Sequence, residues 1–513
     1  MKELEIKNDL NYFREFFEKL KKNNSYSRLG KTFQANKKYY YDLGTGKVLE
    51  CTKNVYSILE CLEKYNSFDS LLKLELKDND LIDALNILKS TIERENIMKA
   101  PCVTEMTGVH KTQLEESIDR NLSQMTLELT QRCNLRCKYC IYQDENGKFR
   151  NFSESNDMSL NIAQKALDYA VNHAQDKDFY LTFYGGEPLL KFDLISQCVE
   201  YLKSKKMKNN IFYSTTTNLT LMTKEKAEYF ASLSNFSVVC SIDGDEEIHD
   251  ANRVTINHTG SHDLAINGLK NLVEAYGREN VSQILINMVL TEPYTKEKFD
   301  RIQNFIDTCP YIFPEMTIMY SYADYGKTSD DETKLNLPNN KALEYWNPVQ
   351  KWEQDKQDNN KSLFSTNNRH RSFLKVHNRE LSNRPIKGYL FNACCIPASR
   401  KIYVTTNGDF QACEQMGQAP VIGNVFKGID IDTIQQKFIN EYENKSIPDC
   451  SQCWAIRLCN LCYARCYNNE GIDIKTKRVK CFHERRMVEH TLSEYHRLLE
   501  EDPGSLECLN NII

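Results

Sequence analysis

The chain has 513 residues, of which 41% are hydrophobic and 27% charged, so it is long enough for several folded domains. Its net charge of −5 lacks the basic excess of a nucleic-acid-binding protein, and no apolar run reaches the roughly 18 residues of a membrane helix. The charged amino terminus has no apolar signal-peptide stretch, so we expect a cytoplasmic protein without nucleic-acid or membrane partners.

The first 97 residues predict a small domain of helices around a β-hairpin. Residues 1–24 have helical apolar spacing, and two β-type runs flank the Gly-Thr-Gly turn within residues 38–52. Two amphipathic helices follow, over residues 54–72 and 79–96. Residues 98–122 have the composition of a linker.

Alternating strands and helices fill residues 123–322. Six β-type runs, from MTLELT to MTIMY, are separated by amphipathic helices. This alternation predicts an α/β fold with a parallel sheet, open or curled into a barrel. Residues 323–392 break the pattern with a polar, partly basic segment that we expect to bridge two domains. A cysteine-rich, turn-rich segment follows over residues 393–485, and residues 486–513 predict a helical tail.

The chain has 19 cysteines, and most of them cluster. Three fall within residues 133–140, three within 394–413 and six within 450–481. In a chain with no sign of export, short cysteine spacings indicate metal or cluster ligands rather than disulfides. We expect the scattered cysteines to be ordinary small core or surface residues.

The first cysteine group directly follows the first strand of the alternating region. Cys133, Cys137 and Cys140 can wrap one corner of a four-iron cluster, and three thiolates leave one iron open. An open iron can chelate the amino and carboxylate groups of S-adenosyl-L-methionine (SAM). An electron passed to the sulfonium then releases a 5′-deoxyadenosyl radical, chemistry that belongs to the cofactor. The alternative is a structural zinc knuckle that lacks its fourth ligand.

This spacing, with the aromatic Tyr139 before the third cysteine, resembles the signature of the radical SAM family. The resemblance implies a SAM-binding [4Fe-4S] cluster on the three cysteines and SAM contacts at the ends of the following strands. Glu187 would accept a hydrogen bond from the SAM ammonium group, and the glycines before it would let the backbone approach a ligand. The implied SAM contacts are Tyr139, Gly185, Gly186, Glu187, Pro188, Thr217, Asn218, Ser241, Asp243 and Arg253. The alternative for each of these residues is ordinary loop polarity.

The later cysteines resemble the SPASM domain, an extension of radical SAM enzymes with two auxiliary [4Fe-4S] clusters. With the SAM cluster, the resemblance implies three [4Fe-4S] clusters. Its positions assign Cys395, Cys413 and Cys466 to the first auxiliary cluster. They assign Cys450, Cys453, Cys459 and Cys481 to the second. Cys394 and Cys462 depart from the pattern. Either residue could be a fourth ligand to the first auxiliary cluster or an acid/base thiol. Alternatively, the first cluster keeps an open iron for a substrate thiolate. A zinc ribbon is the alternative.

The amino-terminal domain resembles the winged-helix-like peptide-recognition domain of peptide maturases. The resemblances together imply a partial (β/α)6 radical SAM barrel between this domain and the SPASM domain. In such maturases the leader of a precursor peptide adds as a strand to a sheet edge, here Lys38–Asp42 or Lys47–Thr52. The alternative is a generic capping domain.

This combination resembles the maturases that form thioethers from peptide cysteines, the sactipeptide and ranthipeptide class. It implies two partners, a precursor peptide with a leader sequence and a reductant such as flavodoxin or ferredoxin. Two other enzyme functions stay open: an oxidase like the sulfatase maturases, which makes formylglycine, and a maturase that forms carbon–carbon crosslinks. A non-catalytic zinc-binding scaffold is the alternative of another class.

Overall fold

In the computed structural model of the chain, the amino-terminal region consists of helices packed on a small antiparallel sheet. The structure describes residues 2–21, 24–142, 156–174, 178–205, 207–208, 210–323, 373–390 and 395–511. The first elements are α1 (Lys2–Lys21), α2 (Tyr26–Leu29), β1 (Gly30–Gln34), β2 (Lys38–Asp42), β3 (Val48–Glu50), α3 (Lys53–Tyr65) and α4 (Asp78–Glu95). The strand order β1-β2-β3 makes β2 the central strand. The prediction of a sheet edge at Lys38–Asp42 is therefore wrong, because β1 and β3 are the edges.

Residues 98–122, predicted as a linker, contain β4 (Met106–Thr107), α5 (Val109–Thr112) and α6 (Leu114–Arg120). β4 pairs in parallel with residues 389–390. Several apolar side chains of this segment, such as Met106 and Leu122, are buried in the main core. Buried apolar surface stabilises the folded state, so this segment is part of the folded core.

The central region consists of six strands with helices between them. Its elements are β5 (Gln124–Thr130), α7 (Leu160–His173), β6 (Phe179–Gly185), α8 (Phe192–Ser204), β7 (Ile211–Thr217), α9 (Lys224–Ala231), β8 (Phe236–Ser241), α10 (Glu246–Asp250), α11 (His262–Tyr276), β9 (Ile284–Leu290), α12 (Lys296–Thr308) and β10 (Thr317–Tyr322). Neighbouring strands from β5 to β10 pair in parallel and in chain order. The prediction of an α/β fold with a parallel sheet is confirmed.

Local sequence explains why these helices begin where they do. Ser159, Thr223 and Thr295 each accept a hydrogen bond from a backbone N–H in the first turn of the following helix. The helices bury one apolar face, and the strands alternate buried and partly exposed side chains. The loops at the carboxyl ends of the strands therefore lie together at one edge of the sheet.

The carboxy-terminal region extends the same sheet. Its elements are β11 (Tyr389–Leu390), β12 (Lys401–Val404), β13 (Phe410–Gln411), β14 (Gly423–Asn424), β15 (Gly428–Ile429), α13 (Ile431–Thr433), a π-helix (Ile434–Asn440), α14 (Glu441–Cys450), β16 (Tyr467–Asn468), β17 (Gly471–Ile472) and α15 (Ile474–Glu501). β12 pairs in parallel with β5 and antiparallel with β13, which gives eight strands in the order β10-β9-β8-β7-β6-β5-β12-β13.

Two predicted boundaries differ from the structure or lie largely outside it. α15 starts at residue 474, where Asp473 caps it, so the predicted tail from residue 486 begins inside a continuous helix. Most of the predicted bridge, residues 323–392, lies outside the described residues.

Short 3₁₀ turns occur at Phe68–Lys73, Pro188–Lys191, Arg278–Gln283, Glu414–Met416, Ile456–Leu458, Ala464–Cys466 and Pro503–Asn511. None of the described helices is both long and apolar enough to cross a membrane.

Candidate active site

A cavity of about 220 Å³ opens at the carboxyl ends of the central strands. It brings together eleven of the residues that the sequence singled out, from loops far apart in the chain. They are Cys133, Cys137, Tyr139, Cys140, Gly185, Gly186, Glu187, Thr217, Asn218, Ser241 and Arg253. Pro188 and Asp243 are buried but do not line the cavity. Open α/β sheets bind ligands at this edge, so the cavity is the candidate active site.

Hydrogen-bond donors face the sulfurs of Cys133 and Cys137 in the first group. The Leu135 N–H lies 3.4 Å from Cys133 Sγ, and Asn218 Nδ2 lies 3.8 Å from it. Arg253 Nη1 lies 3.9 Å from Cys137 Sγ. Donors and a guanidinium around sulfur suit thiolates that carry negative charge.

Burial has the opposite effect on these thiols when no cation is bound. It raises the pKa of Cys133 and Cys137, and it raises the pKa of Cys140 to about 12. A bound cation inverts this tendency, because a coordinated thiol is deprotonated. The donor set and its surroundings therefore fit an iron–sulfur cluster with three cysteine ligands.

Glu187 connects the ends of two strands. Its carboxylate accepts hydrogen bonds from Thr217 Oγ1 (2.8 Å) and from the backbone N–H groups of Asn218 (2.8 Å) and Leu189 (3.0 Å). Burial raises the pKa of this carboxyl, while the three donors favour its charged form. Glu187 thus holds the loops after β6 and β7 together at the cavity wall.

The two glycines before Glu187 allow the cysteine loop to pack closely. The backbone N–H of Gly186 donates to the Thr130 carbonyl, and that of Glu187 donates to the Arg132 carbonyl, both at 2.8 Å. A Cβ at Gly186 would lie 2.1 Å from the Arg132 oxygen. The space left by the missing side chain is filled by protein backbone, whereas the sequence predicted approach to a ligand. The glycine is required because no larger residue fits there.

A buried ion pair supports the opposite side of the cavity. Asp243 accepts hydrogen bonds from Arg253 Nε (3.0 Å), from the Val289 N–H (2.9 Å) and from the Tyr139 hydroxyl. Asp243 is 1% exposed. Behind it, His249 Nδ1 accepts from the Asp243 N–H at 3.4 Å, and burial lowers the pKa of His249 to about 4. The sequence predicted that Asp243 touches a cofactor, but the structure places it behind Tyr139 and Arg253.

Sequence reasoning missed several residues at this site. Asn134 accepts a hydrogen bond from Asn218 and donates one to Thr220, which steadies the cysteine loop. Asn287 and Ser321 line the cavity from β9 and β10. The alternation of residues along those two strands could have predicted them. Side chains on one face of a strand pack under the helices, so polar residues at the alternate positions face away from the helices and toward the cavity.

Gln415 lines the same cavity from the carboxy-terminal region, which no local pattern predicts. A buried carboxylate, Glu128 on β5, joins this region to the cysteine loop. It accepts hydrogen bonds from the Tyr142 hydroxyl (2.7 Å) and from the Thr406 N–H (3.1 Å) in the hairpin after β12. The loop of the first cysteines is thus tied to the region that carries the later ones.

Four of the later cysteines line a second, larger cavity. It measures about 1040 Å³ and lies between the amino-terminal domain and the start of α15. The thiols are Cys450, Cys453, Cys459 and Cys481. Burial raises the pKa of all four, that of Cys450 to about 11. These are the residues that the sequence assigned to the second auxiliary cluster.

The set assigned to the first auxiliary cluster is brought together less completely. Burial raises the pKa of Cys413 and of Cys466 to about 12; Glu414 adds to this at Cys413, and ionised Cys462 would act in the same direction on both. Cys395 is exposed, and its carbonyl accepts a 2.5 Å hydrogen bond from Tyr463. Cys394 lies outside the described residues. In the described part of the chain, no three Cys, His, Asp or Glu side chains converge on a single metal ion, and this holds for all three cysteine sets.

Known proteins resemble this chain most clearly in the central region. Residues 127–306 match the model of the radical SAM superfamily. A cysteine-type anaerobic sulfatase-maturating enzyme of Clostridium novyi (strain NT) is 32% identical over 190 residues, which are 36% of this chain and 48% of that protein. The radical SAM cyclopropyl synthase TigE of Paramaledivibacter caminithermalis is 25% identical over 279 residues, 51% of this chain and 54% of that one. The chain thus spans about half the length of these relatives.

A solved structure has the same fold over a longer stretch. Native anSMEcpe with bound AdoMet superposes with a TM-score of 0.52 at 17% identity, over 72% of this chain and 99% of that one. Identity this low supports the fold alone. The family match covers the loop of the first three cysteines, and most of the strands whose ends form the cavity lie within it. The chain therefore contains a radical SAM domain within residues 127–306.

Proposed function

We propose that this protein is a radical SAM enzyme that forms thioether crosslinks in a ribosomally made, cysteine-bearing peptide. One observation carries the proposal. β12 pairs directly with β5, the strand that leads into Cys133, so the later thiols are joined to the sheet that holds the first three. A catalytic site and a second set of sulfur ligands on one continuous sheet suit a reaction that couples radical formation to sulfur chemistry.

In this proposal, Cys133, Cys137 and Cys140 hold the [4Fe-4S] cluster that binds SAM. The bound cluster and SAM supply a radical that removes hydrogen from the peptide. The chain positions these groups and lines their cavity. Asp243 pairs with Arg253, whose guanidinium lies beside Cys137 as a hydrogen-bond donor. Glu187 holds the loop after β6 that lines the same cavity. Preorganised donors of this kind cost no rearrangement when the reaction occurs.

The later cysteines would hold two auxiliary [4Fe-4S] clusters, which would accept the one electron released when a peptide thiolate bonds to the carbon radical. In the first, Cys395, Cys413 and Cys466 would leave one iron for a thiolate of the peptide, which would keep that sulfur deprotonated and near the reacting carbon. Cys462, when ionised, acts on the pKa of both Cys413 and Cys466, so it is a candidate for the same position. Replacing Cys462 by alanine decides this point: crosslinking persists if the peptide sulfur takes the open iron, and it fails if Cys462 is the fourth ligand.

Leader recognition is assigned to the outer edge of β3. The other edge, β1, is already covered: Glu63 accepts a hydrogen bond from the Thr32 N–H at 3.0 Å, and Phe33 packs on His496 of α15. In the described residues no strand pairs with the outer side of β3. An added peptide strand needs such an unpaired row of backbone groups. A flavodoxin or ferredoxin would deliver the electrons.

Mass spectrometry of a co-expressed precursor peptide tests the proposal. A thioether removes two hydrogens per crosslink and consumes one cysteine thiol, which then resists alkylation. A peptide that keeps all its thiols and its mass, in the presence of SAM cleavage, would refute thioether formation.

A second candidate is oxidation of a cysteine or serine side chain to formylglycine. It is favoured by the 32% identity to the sulfatase-maturating enzyme of Clostridium novyi. Mass together with alkylation distinguishes the two functions. Formylglycine made from cysteine loses the sulfur, formylglycine made from serine leaves every cysteine thiol open to alkylation, and either product has an aldehyde that reacts with hydrazide probes.

A further inference from the structure

A lysine is buried among the thiols of the second cysteine set. Lys477 on α15 is 2% exposed, and its Nζ lies 3.5 Å from Cys450 Sγ and 3.8 Å from Cys481 Sγ. Cys481 is one helical turn further along α15, and Cys450 is the last residue of α14. The ammonium also lies 5.5 Å from the centre of the Tyr442 ring. Two helices thus place one cation against two of the four sulfurs.

The surroundings of Lys477 supply no carboxylate partner among the described residues. Asp449 pairs with Arg478 at 2.8 Å, and Glu484 accepts a hydrogen bond from the Asn460 N–H at 2.5 Å. The acceptor atoms that the structure places beside the ammonium are the sulfurs of Cys450 and Cys481. A buried cation is strongly destabilising unless a counter-charge compensates it. Neutral thiols are weak acceptors and cannot do so, but thiolates bound to iron can.

We propose that Lys477 is the counter-charge of a [4Fe-4S] cluster held by Cys450, Cys453, Cys459 and Cys481, and that it raises the reduction potential of that cluster. This inference rests on the proposed function, which places a cluster there. When the oxidised cluster takes up one electron, its net negative charge increases by one. A fixed positive charge beside the sulfurs stabilises the reduced form more than the oxidised form, and N–H donors to sulfur act in the same direction. Lys477 forms and breaks no bond in this role and acts through its charge alone.

Of the other cations that line the second cavity (Lys31, Lys64, Arg478 and Arg485), Arg485 reinforces this field. Arg485 lines the same cavity, one turn after Cys481, and favours the charged form of Cys453. The acids that face the cavity are Glu60, Glu63, Asp449, Glu484 and Glu489. Glu63 and Glu489 lie near Lys31, at 2.5 Å and 3.6 Å. Lys477 is the cation that the structure places within hydrogen-bonding distance of two sulfurs.

The test is a redox titration followed by electron paramagnetic resonance on the full-length, iron-loaded chain. The triple variant Cys133→Ala, Cys137→Ala, Cys140→Ala serves as background, so that only the auxiliary clusters report. Lys477→Met removes the charge and Lys477→Arg keeps it. Lys475→Met is the matched control, because Lys475 is exposed on the same helix. Iron content is measured for every variant.

We expect Lys477→Met to shift one cluster to more negative potential. At a fixed potential, its ratio of reduced to oxidised form should fall at least tenfold, which is about 59 mV for one electron. Lys477→Arg and Lys475→Met should stay near the background. An unchanged potential in Lys477→Met, with full iron content, would overturn the role of Lys477 and leave the proposed function intact.

Iron content covers the remaining outcomes. Background protein with about eight irons per chain, falling to about four when Cys450 and Cys481 are replaced by alanine, supports the second cluster. Background iron that does not depend on these two cysteines would overturn both the cluster and the inference. If Lys477→Met loses that cluster and Lys477→Arg retains it, the counter-charge role is supported. If both variants lose it equally, charge is not what matters there and the proposal fails.

Discussion

The two cysteine-bearing regions of this protein are organised in different ways. The first three thiols follow a strand, and their loop is held by side chains at the ends of neighbouring strands, such as Asn218 and Arg253. The four thiols of the second cavity come from a helix end, a loop and a second helix, with Lys477 buried between them. A sheet places side chains through backbone pairing that exists without a ligand. The second region depends more on charges that a bound cluster would supply.

The comparison predicts that losing the first three cysteines abolishes SAM cleavage without emptying the second region. The triple alanine variant should release no detectable 5′-deoxyadenosine on reduction, since no other described thiol lines the strand-end cavity. It should keep about eight irons per chain. Chromatography of the reaction and iron analysis measure both quantities. Undiminished cleavage would refute the assignment of Cys133, Cys137 and Cys140.

The buried ion pair of Asp243 and Arg253 at the strand-end site should contribute strongly to the folding stability of the protein. Asp243→Asn leaves the Arg253 guanidinium buried without its counter-charge, and removing one partner of a buried pair costs about 3–5 kcal/mol. Urea unfolding of the iron-free protein measures this loss. Glu315→Gln, which breaks the exposed pair with Arg278, is the control and should leave stability nearly unchanged. Equal effects of the two variants would show that burial of the pair is unimportant.

Falling pH should lower the folding stability of the protein through protonation of His249, which lies behind the same ion pair. Burial lowers the pKa of this histidine to about 4 in the folded state, below its ordinary value of about 6.5. The unfolded chain therefore binds a proton first as the pH falls, so stability decreases between about pH 6.5 and pH 4 and then levels off for this group. The contribution is about 3 kcal/mol. The free energy of unfolding, measured at several pH values in this range, should fall more steeply with decreasing pH in the wild type than in His249→Gln. The same pH dependence in both proteins would refute the prediction.

The smallest expected effect concerns the amino-terminal sheet. Glu50→Pro removes a backbone N–H from β3 that points away from β2, as the flanking pairs Asp42–Lys47 and Lys38–Cys51 indicate. If the leader adds as a strand there, its affinity should fall about tenfold, the equivalent of one hydrogen bond. Fluorescence anisotropy with a labelled leader peptide measures the change. Glu50→Gln, which keeps the N–H, is the control, and equal affinities would place the leader elsewhere.

The sequence by itself determined the alternating elements and the thiols of the first site. Periodicity locates β5 to β10 and their helices, because a strand and a helix with one buried face leave regular patterns of apolar residues. The spacing of Cys133, Cys137 and Cys140 is local and can be seen without a structure. Thr217 and Ser241, at the ends of strands, were expected at the site from the resemblance to the radical SAM family.

Only the tertiary structure decided which distant groups meet. No local pattern shows that β2 is the central strand of its sheet, that β12 extends the main sheet beside β5, or that Asp243 lies behind Arg253. The burial of Lys477 between Cys450 and Cys481 also depends on the end of α14 meeting the first turns of α15. Strand order and helix packing follow from which surfaces bury each other across long stretches of chain, and a one-dimensional pattern does not contain that choice.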